Sequence, residues 1–244
     1  MNQPLVSVLI PSHNRFEYLQ NAIESVQKQN YSNIEIIVIN DCSTQEKYYT
    51  HVFDNNVTKL DLKENQKDVL GYVSAGHVRN FGLKVANGKY VAFLDDDDIW
   101  LPNKLSSQIA LLEASKNKMS ATDGLIGKGV YNPNKEYLIY NEERFYKRIA
   151  KKHKKYFFSS YKSFNFPKEF NFNFIQIHNS IITSSVVIEL NLINFIGGFR
   201  PIPTKNDYAP DYDCWLNILR LTNCEYLKTP YFYYDETHGY GREW

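Results

Sequence analysis

The feature that most constrains this chain is an alternation in its first hundred residues. Short, mostly apolar runs take turns with segments whose apolar residues recur at helical spacing. Val6 to Ile10 is such a run, and Leu19, Ala22, Ile23 and Val26 then return every three or four positions, the period that lines one face of a helix. Ile34 to Ile39 is a second run, rich in β-branched residues. Val78, Phe81, Gly82, Val85 and Ala86 mark a second helix face, and Tyr90 to Leu94 is a third run. Leu101, Leu105, Ile109 and Leu112 mark a further helix, with Pro102 expected in its tolerated first turn. Strands that are apolar throughout must be covered on both sides. The pattern therefore predicts an α/β chain with a Rossmann-like, mostly parallel central sheet and helices on both faces.

Sheets of this kind bind ligands beyond the carboxyl ends of their strands, where the strand order reverses. Pro11 to Arg15, Asn40 to Thr44 and Asp95 to Trp100 occupy those places. Asp95, Asp96, Asp97 and Asp98 are four consecutive carboxylates directly after a buried strand. Such crowding is unfavourable unless water or a cation compensates it, and hard divalent cations, manganese or magnesium, prefer carboxylate oxygens. A solvated acidic loop before the next helix is the plainer explanation, but the position at a buried strand end favours the cation. Asp41, in Asn40-Asp41-Cys42-Ser43, has the chemistry to accept hydrogen bonds from a nucleobase edge or ribose; alone, it reads better as an Asx turn or helix cap. The permanently charged guanidinium of Arg79 suits a diphosphate.

Beyond residue 120 the pattern loosens. Ala121 to Val130 reads as a strand, Arg144 to Lys155 as a basic helix, Ile175 to Ile188 as strand material, and Tyr212 to Leu221 as a helix. No internal repeat or low-complexity linker divides the chain, so residues 1–244 read as one domain.

Val6-Ser7-Val8-Leu9-Ile10-Pro11-Ser12-His13-Asn14-Arg15, Ile36-Ile37-Val38-Ile39-Asn40-Asp41-Cys42-Ser43, Arg79-Asn80-Phe81-Gly82-Leu83, and Gly88 to Leu94 followed by the four aspartates resemble, in order and spacing, the GT-A-fold family 2 glycosyltransferases. The resemblance is close to about residue 115 and looser beyond it. It implies a metal-dependent transferase taking a sugar from a nucleotide-diphosphate donor, UDP being favoured, to a hydroxyl of a glycan or glycoconjugate. Residues 1–118 would bind the nucleotide sugar and 119–244 the acceptor. Pro11, Ser12, His13, Arg15 and Asp41 would form the nucleotide site, with uracil as the expected base. Arg79 would lie near the nucleotide or its phosphates, Asp95 and Asp97 would be the outer carboxylates of the DxD motif that binds the donor, with Asp97 on the metal and Asp96 near the ribose or donor sugar, and Asp98 is expected to cap the next helix. Gly197-Gly198-Phe199 and Asp211-Tyr212-Asp213-Cys214-Trp215 resemble later family motifs, which makes Asp211 the expected general base and Asp213 the reserve. The residue before that motif is often Glu in the family, whereas here it is Pro210. His238 resembles a late histidine that in some members reaches the metal or diphosphate, and His178 and Asn179 are candidates for touching the acceptor. A base is needed because a hydroxyl attacks an anomeric carbon only as its proton is removed. One base facing one leaving group predicts single displacement with inversion.

Charge and cysteines narrow the alternatives. With 28 basic and 27 acidic side chains the net charge is +1, so no overall basic field announces a nucleic-acid partner. The exception is local: Arg144, Lys147, Arg148, Lys151, Lys152, Lys154 and Lys155 form a stretch that could face an acidic membrane surface or charged acceptor, or simply be solvated. Three cysteines without metal spacing point to a reducing compartment. No apolar stretch nears the roughly 20 residues needed to cross a bilayer, so a cytoplasmic protein, peripheral to a membrane at most, is expected. The main rival is a non-catalytic nucleotide-binding or scaffolding relative, for which Pro210 is the best support. A phosphotransferase on a similar sheet would need hydroxyl and lysine partners that Asp95 to Trp100 lacks, and a nucleotidyltransferase would need a glycine-rich phosphate loop.

Overall fold

The computed structural model describes residues 3–157, 164–204 and 208–237. Through residue 127 the elements are β1 (Val6–Ser12), α1 (Phe16–Gln27), β2 (Ile34–Asn40), α2 (Lys47–Thr50), β3 (Val57–Asp61), α3 (Gln66–Leu70), α4 (Ala75–Leu83), β4 (Tyr90–Phe93), β5 (Ile99–Trp100), α5 (Lys104–Ala114) and β6 (Met119–Gly127). Then come β7 (Leu138–Ile139), a π-helical turn (Tyr140–Arg144), α6 (Tyr146–Phe157), β8 (Glu169–Phe170), α7 (Phe172–Ile175), a 3-10 turn (Thr183–Ser185), β9 (Val187–Glu189), α8 (Leu190–Phe195), α9 (Pro210–Ile218) and β10 (Cys224–Asp235).

One sheet runs through the molecule in the order β3-β2-β1-β4-β9-β6-β10-β5, with β7 added beside β6 and β8 beside β10. β1 pairs in parallel with β2 on one side and β4 on the other, so Val6 meets both Ile34 and Tyr90. β9 is antiparallel to β4 and to β6, and β10 is parallel to β6. The long strands therefore share one direction, and their carboxyl ends lie along one edge.

Burial on both faces follows from strand alternation. Val8, Ile10, Ile36, Val38 and Ala92 pack with Leu19, Ala22, Ile23 and Val26 of α1 and Leu105 and Ile109 of α5. Leu9, Ile37, Ile39, Val91 and Phe93 face the other way, onto Val78 and Leu83 of α4 and Trp215 of α9. Gly82 allows the α4 contact: a Cβ there would stand 2.9 Å from Ile39 Cδ1 and 3.0 Å from a Leu9 methyl.

Three expectations are corrected. Pro102 precedes α5 rather than opening it, because Asn103, at φ +68°, is the N-cap and Lys104 the first helical residue. Residues 175–188 are not one strand; only Val187–Glu189 pairs. Polar side chains in this stretch bond locally instead: Ile181 N donates to Asn179 Oδ1 at 3.2 Å and Ser185 Oγ to Ile182 O at 2.6 Å, competing with ladder formation. Asp98 does not cap α5; it is fully buried and accepts from Asp235 N at 3.0 Å. Among the described residues, no helix is long and apolar enough to cross a membrane.

Candidate active site

The four aspartates form the turn that leaves β4 and enters β5. Asp98 N donates to Asp95 O at 3.1 Å, closing it, and Ser184 of the 3-10 turn fixes both ends, accepting from Asp95 N through Oγ and from Trp100 Nε1 through its carbonyl. The side chains then diverge. Asp96, 1 % exposed, points inward and accepts from Ser12 Oγ at 2.7 Å and Arg15 Nη1 at 3.3 Å. Asp97 accepts from Arg15 Nη1 at 2.8 Å, and Asp95 pairs with Arg79. Burial, then the neighbouring carboxylates, hold Asp97 above the usual carboxylate range; burial also raises Asp96, against the pull of Arg15. Arg15 thus crosses the acidic turn that the sequence reading kept apart from it.

Asp95, Asp97 and Asp98 each offer a carboxylate oxygen, all within 4.8 Å of one another. Asp98 Oδ2 is buried without a hydrogen-bond partner. A crowded all-oxygen set containing an orphaned carboxylate oxygen fits a hard divalent cation, with Asp98 a member that sequence reasoning assigned elsewhere. His238 lies outside the described residues.

The nucleotide side is built at the ends of β1 and β2. His13 Nδ1 donates to Asp41 O at 2.7 Å, Asn14 N to Ser43 Oγ at 2.9 Å, and Asn14 adopts φ +53° and Cys42 φ +55°. Pro11, Ser12 and Asp41 are buried. The Asp41 carboxylate already has partners: Oδ1 accepts from Gln66 N at 2.8 Å and Oδ2 from Asn65 Nδ2 at a looser 3.3 Å. Asp41 therefore does help to cap a helix, α3, and burial keeps its carboxyl raised.

α4 carries Arg79 from that side to the second half. Asn80 clasps the Gly-Gly-Phe segment, donating through Nδ2 to Phe199 O at 2.7 Å and accepting at Oδ1 from Phe199 N at 2.9 Å. Gly198 must be glycine: its φ is +74°, and a Cβ would lie 2.5 Å from Asn80 Oδ1. The clasp seats α9 beside α4. Pro210 begins α9, where a missing N–H and fixed φ suit the first turn, and Ala209 is the N-cap. Asp211 is therefore not the cap; it accepts from Thr183 Oγ1 at 3.3 Å, and burial raises its carboxyl, partly offset by its backbone hydrogen bond and by Arg79. Asp213 turns away and is held by Arg200 Nε at 2.7 Å and Tyr208 Oη at 2.5 Å. Burial would raise it, but these partners bring it below its ordinary value, so the reserve candidate is a structural anchor.

A cleft of about 570 Å³ lies over these groups, and Arg79, Asp95, Asp96, Asp97 and Asp211 are among its lining residues. His178 and Asn179 line it as the sequence suggested; Thr183, Tyr140, Phe145, Arg148 and Lys152 join them without having been anticipated individually. The hydroxyl cluster Thr183-Ser184-Ser185 inside an apolar stretch was the available sign for the first. Pro11, Ser12, His13, Arg15 and Asp41 are not among its lining residues.

A Rossmann-like sheet whose strand ends gather an acidic turn, an arginine and a carboxylate across a cleft defines the GT-A class, and the chain belongs to Glycosyl transferase family 2, whose family profile matches residues 7–169. Among relatives it is 29 % identical over 237 residues to the Escherichia coli UDP-Glc:alpha-D-GlcNAc-diphosphoundecaprenol beta-1,3-glucosyltransferase WfgD, covering 95 % of this chain and 78 % of that one. Its fold matches S. aureus TarS at TM-score 0.64 and 20 % identity, covering 95 % of this chain but 60 % of TarS. It also matches the Pyrobaculum calidifontis mannosyltransferase PcManGT, solved with GDP-Man and Mn2+, at TM-score 0.58 and 17 % identity, over 94 % of this chain and 56 % of that one.

Proposed function

We propose that the chain transfers a hexosyl or N-acetylhexosaminyl group from a UDP-sugar to a hydroxyl of a glycan or glycoconjugate, by single displacement with inversion. The observation that carries this is the position of Asp211, which shares one cleft with Asp95, Asp96, Asp97 and Arg79 although more than a hundred residues separate it from them. UDP as donor is supported by the donor in WfgD's name and by a TarS structure containing UDP. Residues 1–118 would hold the nucleotide and 119–244 the acceptor.

In this reading uracil lies against Pro11, Ser12 and His13, and Asp41 Oδ2, the less firmly held oxygen, accepts from its N–H. Arg79 turns from Asp95 toward the diphosphate. Asp95, Asp97 and Asp98 would hold manganese or magnesium, which when bound offsets the charge gathering on the departing diphosphate; the Mn2+ in PcManGT supports the choice. His238 is proposed to reach the same group. Asp211 takes the proton from the acceptor hydroxyl as it attacks, and its buried site, which favours the protonated carboxyl, makes it a stronger base than an exposed aspartate. Pro210 offers the scaffolding alternative little support, since it serves as the helix start.

The outward residues Lys147, Lys151, Lys154 and Lys155 of α6 are exposed and suit contact with an acidic membrane surface. The functional test is release of UDP from UDP-glucose or UDP-N-acetylglucosamine over an acceptor panel, with Asp211→Asn beside wild type. Turnover lost in the variant with UDP binding kept supports the assignment; undiminished turnover contradicts it.

A further inference from the structure

The basic stretch is not one patch. Phe145, Arg148 and Lys152 follow at i, i+3 and i+7, one stripe of a helix, and all three line the cleft. Lys147, Lys151, Lys154 and Lys155 point to solvent, while Ile149, Ala150 and His153 are buried against the body. The helix thus places two cations, Arg148 exposed and Lys152 half-buried, on the lining of the same cavity that holds Asp211.

Their place relative to the proposed base follows from one loop. Lys152 Nζ lies 3.4 Å from His178 Nδ1, and five residues on, Thr183 Oγ1 donates to Asp211. Five residues span at most about 17 Å, and both ends of that stretch line the one cleft. Aromatic rings line the same cleft: Tyr140 packs on Phe145 with ring centroids 4.7 Å apart and edge-on to Tyr234 at 5.9 Å. The cleft carboxylates among the described residues are Asp95, Asp96, Asp97 and Asp211, the groups given above to the donor, the cation and the base. An uncharged acceptor would make no use of two further cations in the cleft, whereas aromatic rings set in one cleft with paired cations match a sugar ring followed by a phosphate.

We propose that Arg148 and Lys152 bind a phosphate group of the acceptor, so that the acceptor class is a phosphate- or diphosphate-linked saccharide whose ring rests on Tyr140, Phe145 and Tyr234. This rests on the glycosyl-transfer reading of the cleft. Arg148 and Lys152 act by holding the acceptor, not in the proton transfer.

The test is binding of glucose 1-phosphate, with glucose as the uncharged control, to protein saturated with UDP and magnesium so that the donor's diphosphate position is filled. R148Q/K152Q is compared with wild type and with K147Q/K151Q, which removes equal charge from the outward stripe; circular dichroism checks that the helix persists. Glucose 1-phosphate is expected to bind wild type and K147Q/K151Q alike and R148Q/K152Q about tenfold or more weakly, the loss for charge-assisted contacts of ordinary strength. Equal affinity in R148Q/K152Q, or no preference for glucose 1-phosphate over glucose, overturns the proposal. So does an R148Q/K152Q defect confined to vesicles of phosphatidylglycerol, which would assign the pair to lipid headgroups. Failure of UDP to bind wild type would sink the transferase reading instead, and the sugar-phosphate comparison, repeated without nucleotide, would still decide this one.

Discussion

Asp211 and Asp213 are two residues apart in one helical turn and have opposite fates. Their sequence context offered no way to separate them, because what separates them is distant in the chain: Arg200 and Tyr208 occupy Asp213, while Thr183 and Arg79 leave Asp211 facing the cleft. Asp211→Asn is expected to lower kcat by about 10²–10⁴, the usual contribution of a general base, with UDP affinity unchanged by calorimetry. Burial raises the Asp211 carboxyl, so the acid limb of the kcat/KM profile should fall at a pH above the ordinary carboxylate value of about 4. The sign for stability is the reverse of a salt-bridged aspartate: with the folded value raised, its contribution is most favourable below the unfolded value and declines as pH rises through the folded one. A profile flat to pH 4 would remove Asp211 from the base role.

The elements were legible to different degrees, for physical reasons. β1, β2 and β4 lie in the middle of the sheet with both faces covered, so they are mostly apolar on both faces and could be read directly. β3 lies at an edge and has no fully buried residue, and β10 shifts register around Pro230, so neither carries a continuous signal. The clasp between Asn80 and Phe199 was invisible as a contact, although both residues belong to motifs that were singled out. Asn80→Ala would leave the Phe199 N–H and carbonyl without partners, at a cost of about 1–3 kcal/mol. Thermal unfolding should show a fall of several degrees, together with weakened turnover as α9 loosens from α4. On α6, neutralising Lys147, Lys151, Lys154 and Lys155 should lower affinity for anionic vesicles by about 1 kcal/mol per charge and leave UDP binding intact; unchanged vesicle binding in a flotation assay would remove the membrane face.

For the whole molecule, a net charge of +1 conceals a strong local division. Asp95, Asp96, Asp97 and Asp211 share one cleft with Arg79, Arg148 and Lys152. The mutual position of the halves depends on tertiary contacts such as the α4 to α9 seating, which periodicity does not encode. The central claim is that the strand ends form a cation-assisted nucleotide-sugar site. It is tested most directly by thermal unfolding with UDP, GDP or dTDP, each with manganese or with chelator. A ligand at about a hundred times its Kd adds about 2.7 kcal/mol to the native state, or roughly 5–10 °C for a chain of this length. The account predicts that UDP with manganese gives a shift of this size, that chelator removes most of it, and that Asp97→Asn abolishes the manganese-dependent part. No shift with any nucleotide in manganese would contradict it.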